Sequence, residues 1–169
     1  MERSQCYIGT LNGVVVCADC TEEAGISGRL YHGYREEGFS FRNLQQMLSE
    51  MEQMFDSIGY PHPSTDSRSF ALEKQGIGAR QERMRRMSDV ELLSRHGDLG
   101  TFIVRVQHRQ NSSWQGSITW TEQNKTIYFR SVWEMIKLIE SAVDSVSSQE
   151  EEDSRVSWFE SEEEAGGMH

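Results

Sequence analysis

The sequence of 169 residues lacks most of the features that would assign it to a specialised class of protein. It has only two prolines and three cysteines, and an odd number of cysteines in a chain of this length builds no disulfide framework, so a reducing compartment fits best. No stretch approaches the roughly 18 apolar residues of a membrane-spanning helix, and residues 1–12 contain no apolar run of the signal-peptide type. We therefore expect a cytoplasmic protein that does not associate with membranes.

Negative charge is in excess, and the excess is concentrated near the C-terminus. Of the formal net charge of −10, residues 146–169 account for −7, with eight acidic residues and one basic residue, so the rest of the chain is close to neutral. An acidic run among Ser, Gln and Gly buries too little apolar surface to fold alone, and we expect residues 147–169 to be a disordered tail in isolation. Trp158 and Phe159 lie within this tail, where they either anchor a partner or pack back onto the body of the protein.

An internal repeat is the strongest pattern in the chain. Residues 28–57 align without gaps on residues 116–145, an offset of 88, and 14 of the 30 aligned positions match in residue type. Composition alone would give about two identities, whereas seven are present, so two copies of one supersecondary unit are predicted. The identical pairs are Gly28/Gly116, Phe41/Phe129, Arg42/Arg130, Met47/Met135, Glu52/Glu140, Asp56/Asp144 and Ser57/Ser145.

Each copy has the pattern of short strands followed by an amphipathic helix. In the second copy, apolar and polar residues alternate from Ser113 to Trp120, which is the period of a strand with one solvated face. Ser131 and Glu134 then form a capping box at the start of the helix. In the first copy Asn43 is the matching cap, and Gly59 ends the helix.

These patterns predict an α+β fold with six or seven short antiparallel strands and two main helices around a pseudo-twofold axis. The first unit covers residues 1–59 and the second residues 101–146, with the acidic tail at 147–169. Residues 60–100 connect the units, and the capping box from Ser88 to Glu91 predicts a short helix there. Placed side by side, the two sheets form one longer sheet with both helices on one face.

Metal and catalytic motifs are weak. Cys17 and Cys20 have the spacing of metal ligands, and Cys6 and His32 would complete a zinc site. Only one such cysteine pair is present, however, and a thiol in an apolar strand is an ordinary core residue, so we predict no metal and no cofactor. The sequence contains no nucleophile elbow and no phosphate-binding glycine loop. No residue is therefore predicted to be catalytic, and a protein without enzymatic activity is favoured.

Two groups of arginines are candidate binding residues. Arg42 and Arg130 each precede a helix start, where the helix dipole opposes a cation, so they indicate either a contact within each unit or a ligand site. The chain's only basic cluster could contact phosphates while exposed aromatic residues stack on bases. Against this, nucleic-acid-binding modules normally carry a positive surplus. The cluster consists of Arg80, Arg83, Arg85 and Arg86.

Several segments resemble an uncharacterised family of small bacterial cytosolic proteins. The first is Gly28-Arg-Leu-Tyr-His with Phe41-Arg42, and the second is Trp114-Gln-Gly-Ser-Ile-Thr-Trp with Tyr128-Phe-Arg-Ser and Ile136-Lys-Leu-Ile-Glu-Ser-Ala. The likeness covers most of residues 26–145 and leaves the tail outside. Because the family has no assigned activity, the resemblance implies a bacterial cytosolic origin and no mechanism.

The leading prediction is a binding or regulatory protein, monomeric or homodimeric, whose tail engages a basic protein partner. In one version the partner is a nucleic-acid-handling protein, and the tail mimics nucleic acid. The alternative is direct nucleic-acid binding through the basic cluster and exposed aromatic residues, gated by the tail. The predicted partner-binding residues are Trp158, Phe159, Glu150, Glu151, Glu152, Glu162, Glu163 and Glu164.

Overall fold

A computed structural model of the chain describes residues 8, 12–61, 85–110 and 113–165, with the backbone alone at residues 110 and 153–165. Six strands and three helices make it an α+β protein, as the sequence predicts. In chain order they are β1 (Val14–Glu22), β2 (Gly25–His32), β3 (Phe39–Phe41), α1 (Leu44–Ile58), α2 (Asp89–Leu93), β4 (Gly100–Gln110), β5 (Ser113–Trp120), β6 (Lys125–Phe129) and α3 (Val132–Ala165).

The six strands form one sheet in the order β3-β2-β1-β4-β5-β6. Every neighbouring pair is antiparallel, which confirms the predicted antiparallel pairing. β1 and β4 join the two halves, in a register that runs from Val14 opposite Val104 to Ala18 opposite Gly100. The strands before α1 and the strands before α3 therefore belong to a single continuous sheet.

Helices α1 and α3 pack on the same face of this sheet. Successive side chains of a strand point to opposite faces, and alternate residues of the central strands, such as Val16 and Val104, share one buried cluster with both helices. The helices contribute a stripe spaced three or four residues apart, which is the period of a helix with one buried face. Its fully buried members are Met47, Met51, Phe55, Met135, Ile139 and Val143.

The opposite face of the central strands is covered by the segment around α2. Val15 and Ile103 point to this face and pack with Met87 and Leu92 in a second buried cluster. α2 begins with the predicted capping box at Ser88. The middle of the sheet is thus buried on both faces, which explains the unbroken apolar run in β1. Among the helices of the described residues, none has the length and apolar composition needed to cross a membrane.

Both long helices begin with the predicted caps. At α1 the side chain of Asn43 accepts a hydrogen bond from the amide of Gln46, and the side chain of Gln46 accepts one from the amide of Arg42. These contacts satisfy amide groups that a helix start leaves unpaired. At α3 the corresponding two bonds join Ser131, Glu134 and Arg130.

The two helices end differently. α1 stops at Gly59, whose φ of 65° is the left-handed conformation that glycine adopts without strain. α3 continues to Ala165, so the backbone of residues 147–165 is helical where the composition predicts disorder. The physical reason is that a helix already formed by packed residues needs no new nucleus to extend, since each further residue adds one hydrogen bond.

Close backbone approaches explain two of the glycines. A Cβ atom on Gly28 would overlap the carbonyl oxygen of Cys17, and one on Gly116 would overlap that of Arg105. Each glycine lies beside a register shift, which falls between residues 18 and 20 in β1 and between residues 106 and 108 in β4. Glycine is required at both positions because the neighbouring strand leaves no room for a side chain.

Replacing Gly116 by alanine is expected to lower the free energy of unfolding by about 1–3 kcal/mol, because β5 must move away from β4 to admit a methyl group. Urea denaturation followed by circular dichroism measures the difference. Gln115→Ala is the control, since this side chain is half-exposed on the neighbouring position of the same strand. A Gly116→Ala variant as stable as this control would contradict the close approach.

Candidate functional site

The acidic end of α3 is defined as residues 147–165. Among the described side chains of α3, Val143 is the last that is fully buried, Val146 is half-buried, and every side chain from 147 to 152 is exposed. At 1.5 Å per residue, the backbone of this segment extends for about 28 Å. Glu150, Glu151 and Glu152 therefore lie on the exposed part of a helix. The other predicted partner-binding side chains, including Trp158 and Phe159, lie outside the described side chains.

Two of the four arginines in the basic cluster are described, and both contact carboxylates. Arg85 pairs with Asp89, and Arg86 lies 3.7 Å from Glu36. The backbone amide of Arg86 also donates to the carbonyl of Gly33, which holds this segment against the end of β2. Arg80 and Arg83 lie outside the described residues. The described half of the cluster is thus partly neutralised by neighbouring acids.

The backbone amides of Arg42 and Arg130 make equivalent hydrogen bonds in the two units. Each follows a buried phenylalanine, Phe41 or Phe129, and donates its amide to the helix cap. Both side chains are exposed, and neither forms an ion pair with a described residue. Arg42 lines a polar groove of about 790 Å³ along the first turns of α1. Nothing in the structure explains why both side chains are arginine.

The register of β1 and β2 separates the residues of the predicted zinc site. His32 pairs with Val14, and Cys17 lies three residues further along β1 on the opposite face. At about 3.3 Å per residue this separation is roughly 10 Å, and Cys20 is further still, whereas zinc ligands share an ion at about 2.0–2.3 Å. Cys6 lies outside the described residues. Within the described part of the chain no group of three potential ligands is arranged to hold a metal.

Cys17 and Cys20 also differ in environment. Burial raises the pKa of the Cys17 thiol to about 11, so this thiol is protonated at neutral pH. A protonated thiol inside the core is inert, because the thiolate is the reactive form. Cys20 is exposed near the end of β1. Cys17 is therefore a small core side chain. This agrees with the interpretation of Cys17 as an ordinary core residue and not as a zinc ligand.

Nothing in the sequence pattern predicts the polar cluster around Arg29. Its Nε and Nη2 donate to the two carboxylate oxygens of Asp19, at 2.8 and 3.1 Å. Nη1 donates to the Tyr31 hydroxyl at 3.0 Å, and Nη2 donates to the carbonyl of His96 at 2.8 Å. Arg29 thereby connects β1 and β2 to the segment after α2, and it stabilises the fold rather than presenting a free cation.

Asp19 is the acidic partner in this cluster. Burial by itself would raise the pKa of its carboxyl group, but hydrogen bonds from Arg29 and from the amide of Asp98 outweigh burial and lower the pKa below its ordinary value. The carboxylate is therefore ionised at neutral pH. Its contribution to stability is present above the pKa of an unfolded Asp, about 3.9, and is lost as the pH falls through the folded-state value.

A second arginine, this one buried, connects the two halves of the sequence. Arg109, only 5% exposed, donates to the carbonyl of Pro61 at 2.7 Å and to a carboxylate oxygen of Asp56 at 2.8 Å. Its guanidinium lies 5.6 Å from the centre of the Phe55 ring. Asp56 is an identical position of the repeat, but Arg109 is 53 residues away, so only the fold brings the pair together. This contact holds the end of α1 against the end of β4.

A small apolar recess of about 130 Å³ lies between the outer strand β6 and helix α3. We call it the edge recess. Its side chains come from three strands and one helix. The alternating apolar residues of the strands predict a buried face, but they do not predict this recess. Its apolar lining consists of Phe102, Ile118, Trp120, Ile127, Leu138 and Ala142.

No match to this chain is found among protein-family models, curated proteins or solved structures. The resemblance to a bacterial family therefore stays a prediction.

Asp19→Asn is expected to lower the free energy of unfolding by about 1–2 kcal/mol at pH 7, because the variant loses a charged hydrogen-bonded pair that is partly exposed. The difference from the wild type should shrink below about pH 4, where Asp19 of the unfolded wild-type chain takes up a proton, and it should be lost as the pH falls through the lower pKa of the folded carboxyl group. Denaturant titrations between pH 3 and pH 8 test both points.

Glu37→Gln is the matched control for Asp19→Asn, because Glu37 is exposed and forms no ion pair with a described residue. We expect this variant to unfold like the wild type at every pH. A loss of stability that is the same for Asp19→Asn at pH 3 and pH 7 would rule out the ionic contribution of the Arg29 pair.

Proposed function

We propose that the chain is a non-enzymatic binding or regulatory protein and that the acidic end of α3 contacts a basic protein partner. The observation that carries the proposal is the continuation of the α3 backbone to Ala165, well beyond Val143, the last fully buried of its described side chains. The segment holds acidic residues in excess, and its side chains from 147 to 152 are exposed. A helical segment has less conformational entropy to lose on binding than a disordered tail has.

Electrostatics supports a role for this segment outside the protein's own fold. The C-terminal end of a helix carries partial negative charge, which favours basic residues and disfavours acidic ones. The last turn of α3 contains no basic residue, and the sequence there has three consecutive acids, Glu162, Glu163 and Glu164. These acids oppose the helix dipole and one another. A cationic partner would relieve both repulsions, so the placement suits binding better than helix stability.

We also propose that the body of the protein consists of two copies of one unit, arranged around a pseudo-twofold axis. The offset of 88 relates the two register shifts, the two glycines in close backbone contact and the two helix caps. It also relates Val15 to Ile103, and these two residues face each other where β1 pairs with β4. Equivalent residues that face each other are what a twofold axis between the units requires.

The difference between the two units supports the proposed role of the acidic end. By the same offset, Gly59 corresponds to Ser147. In the first unit the glycine terminates α1, whereas in the second unit the serine lets α3 continue. The extension is therefore an addition to the unit that its packing does not need. The extension distinguishes the second unit from the first, so a partner that binds it would recognise the second unit alone.

Direct nucleic-acid binding through the basic cluster is the less favoured function. Arg85 and Arg86 contact carboxylates, and these contacts would have to be exchanged for contacts to phosphates. The near-neutral charge of the body also gives little general attraction for nucleic acid.

The proposal is tested by replacing Glu150, Glu151 and Glu152 together by Gln in the full chain. The probe is a fluorescein-labelled oligoarginine peptide, and its affinity is measured by fluorescence anisotropy. At about 0.5 kcal/mol for each exposed charge, the three replacements should weaken binding on the order of tenfold. Added salt should reduce the difference, because it screens exposed charges.

The matched control replaces Glu22, Glu23 and Glu37 by Gln, which changes the net charge equally on exposed positions of the body. Equal weakening by both triple variants would contradict a localised site on α3. Binding of a labelled single-stranded oligonucleotide that is lost in Arg85→Gln/Arg86→Gln would instead favour the nucleic-acid function.

A further inference from the structure

Strand β6 is an edge of the sheet. It is the last strand in the sheet order, and no described strand pairs with its outer side. Its side chains from Lys125 to Tyr128 are exposed, and only Phe129 is buried. A strand in this position presents a row of unpaired amide and carbonyl groups, which is a template for pairing with another chain.

The features by which proteins usually block such pairing are largely missing from β6. The strand at the opposite edge, β3, has only three residues. β6 has five residues and no proline, and its register with β5 is regular, unlike the shifted registers of β1 with β2 and of β4 with β5. Its only charged residue is Lys125 at its start. Short strands, prolines, bulges and charges are the usual protections of an edge, so β6 is open to pairing.

Apolar side chains are also concentrated at this edge. Of the five large exposed apolar side chains among the described residues, three lie here, namely Ile127, Tyr128 and Trp133. Ile127 is 36% exposed and borders the edge recess, so the apolar surface continues from β6 under α3. Tyr128 is 72% exposed and points to the other face of the sheet. A strand added at β6 would therefore cover apolar surface on both faces.

We propose that β6 pairs antiparallel with β6 of a second copy of this chain, around a twofold axis at Ile127. In this register Ile127 faces the partner's Ile127, Thr126 faces the partner's Tyr128, and Lys125 faces the partner's Phe129. No two like charges face each other, and like charges would be unfavourable in opposed positions. The two sheets become one sheet of twelve strands.

Side-chain chemistry favours a second copy over an unrelated strand. The two Ile127 side chains lie together beside the two edge recesses, and each covers apolar surface of the other copy. Lys125 forms no ion pair with a described residue and arrives near the start of the partner's α3, where Glu134 is the acidic residue of the first turn. The twofold axis makes each of these contacts twice.

The same kind of joint already exists inside the chain. β1 and β4 pair antiparallel, with Val15 facing Ile103, and the 88-residue offset relates these two residues. The pairing of β6 with its own copy would repeat this arrangement between molecules. In both cases the two sheets are joined by direct pairing of strands in a fixed register, without any additional strand or helix between them.

The first test measures the mass of the full chain by sedimentation over a series of concentrations. A dimer that dissociates on dilution is expected for the wild type. Ile127→Lys should weaken the dimer at least about tenfold, because it places two like charges at the twofold axis. Val90→Lys is the control, since Val90 is an exposed apolar residue on α2, away from β6. A wild-type chain that stays monomeric throughout, or a dimer that Ile127→Lys leaves intact, would overturn the proposal.

The second test measures the register by cross-linking in a Cys6→Ser/Cys20→Ser background. Facing residues of an antiparallel pair have Cα atoms about 4.5–5.5 Å apart, which is within the range of a disulfide. Ile127→Cys should therefore form a covalent dimer on mild oxidation. Tyr128→Cys should not, because residue 128 faces residue 126 of the partner. Equal cross-linking of both variants, or cross-linking of Tyr128→Cys alone, would refute a twofold axis at Ile127.

Discussion

Five residue pairs, from Val14 opposite Val104 to Ala18 opposite Gly100, connect the two halves of the sheet through the pairing of β1 with β4. This ladder places β1 and β4 at the centre of the sheet, and apolar side chains on both faces of these strands are buried. On one face Val16 and Val104 lie under α1 and α3, and on the other Val15 and Ile103 lie under the segment around α2.

The two surfaces for which we propose partners lie at the periphery of the sheet. One is the acidic end of α3, which begins at Ser147, the position that corresponds to Gly59 at the end of α1, and the other is the outer strand β6 with the edge recess. Two arginine side chains form ion pairs within the fold. Arg29 is bonded to Asp19, and Arg109 to Asp56.

Sequence reasoning predicts the local elements of this protein well and its side-chain clusters poorly. The caps at Asn43 and Ser131 are confirmed because a cap depends on residues within one turn of the helix. The spacing of the cysteines suggested a zinc site, but the strand register keeps its residues apart, because His32 lies opposite Val14 and not opposite Cys17. The pair of Arg109 and Asp56 had no sequence signal, because its two residues are 53 positions apart. The acidic segment is evident from composition, but its helical backbone is not.

The sequence by itself determined the extent of β5, where α1 begins and ends, where α2 and α3 begin, and where the charge is concentrated, because periodicity, caps and charge counts are properties of neighbouring residues. Only the tertiary structure decided the register in which the two halves join into one sheet, that Cys17 is buried in the core, and that β6 is an outer strand. These outcomes depend on which distant strands pair and in which register. That choice is set by the packing of both sheet faces together, which no local pattern contains.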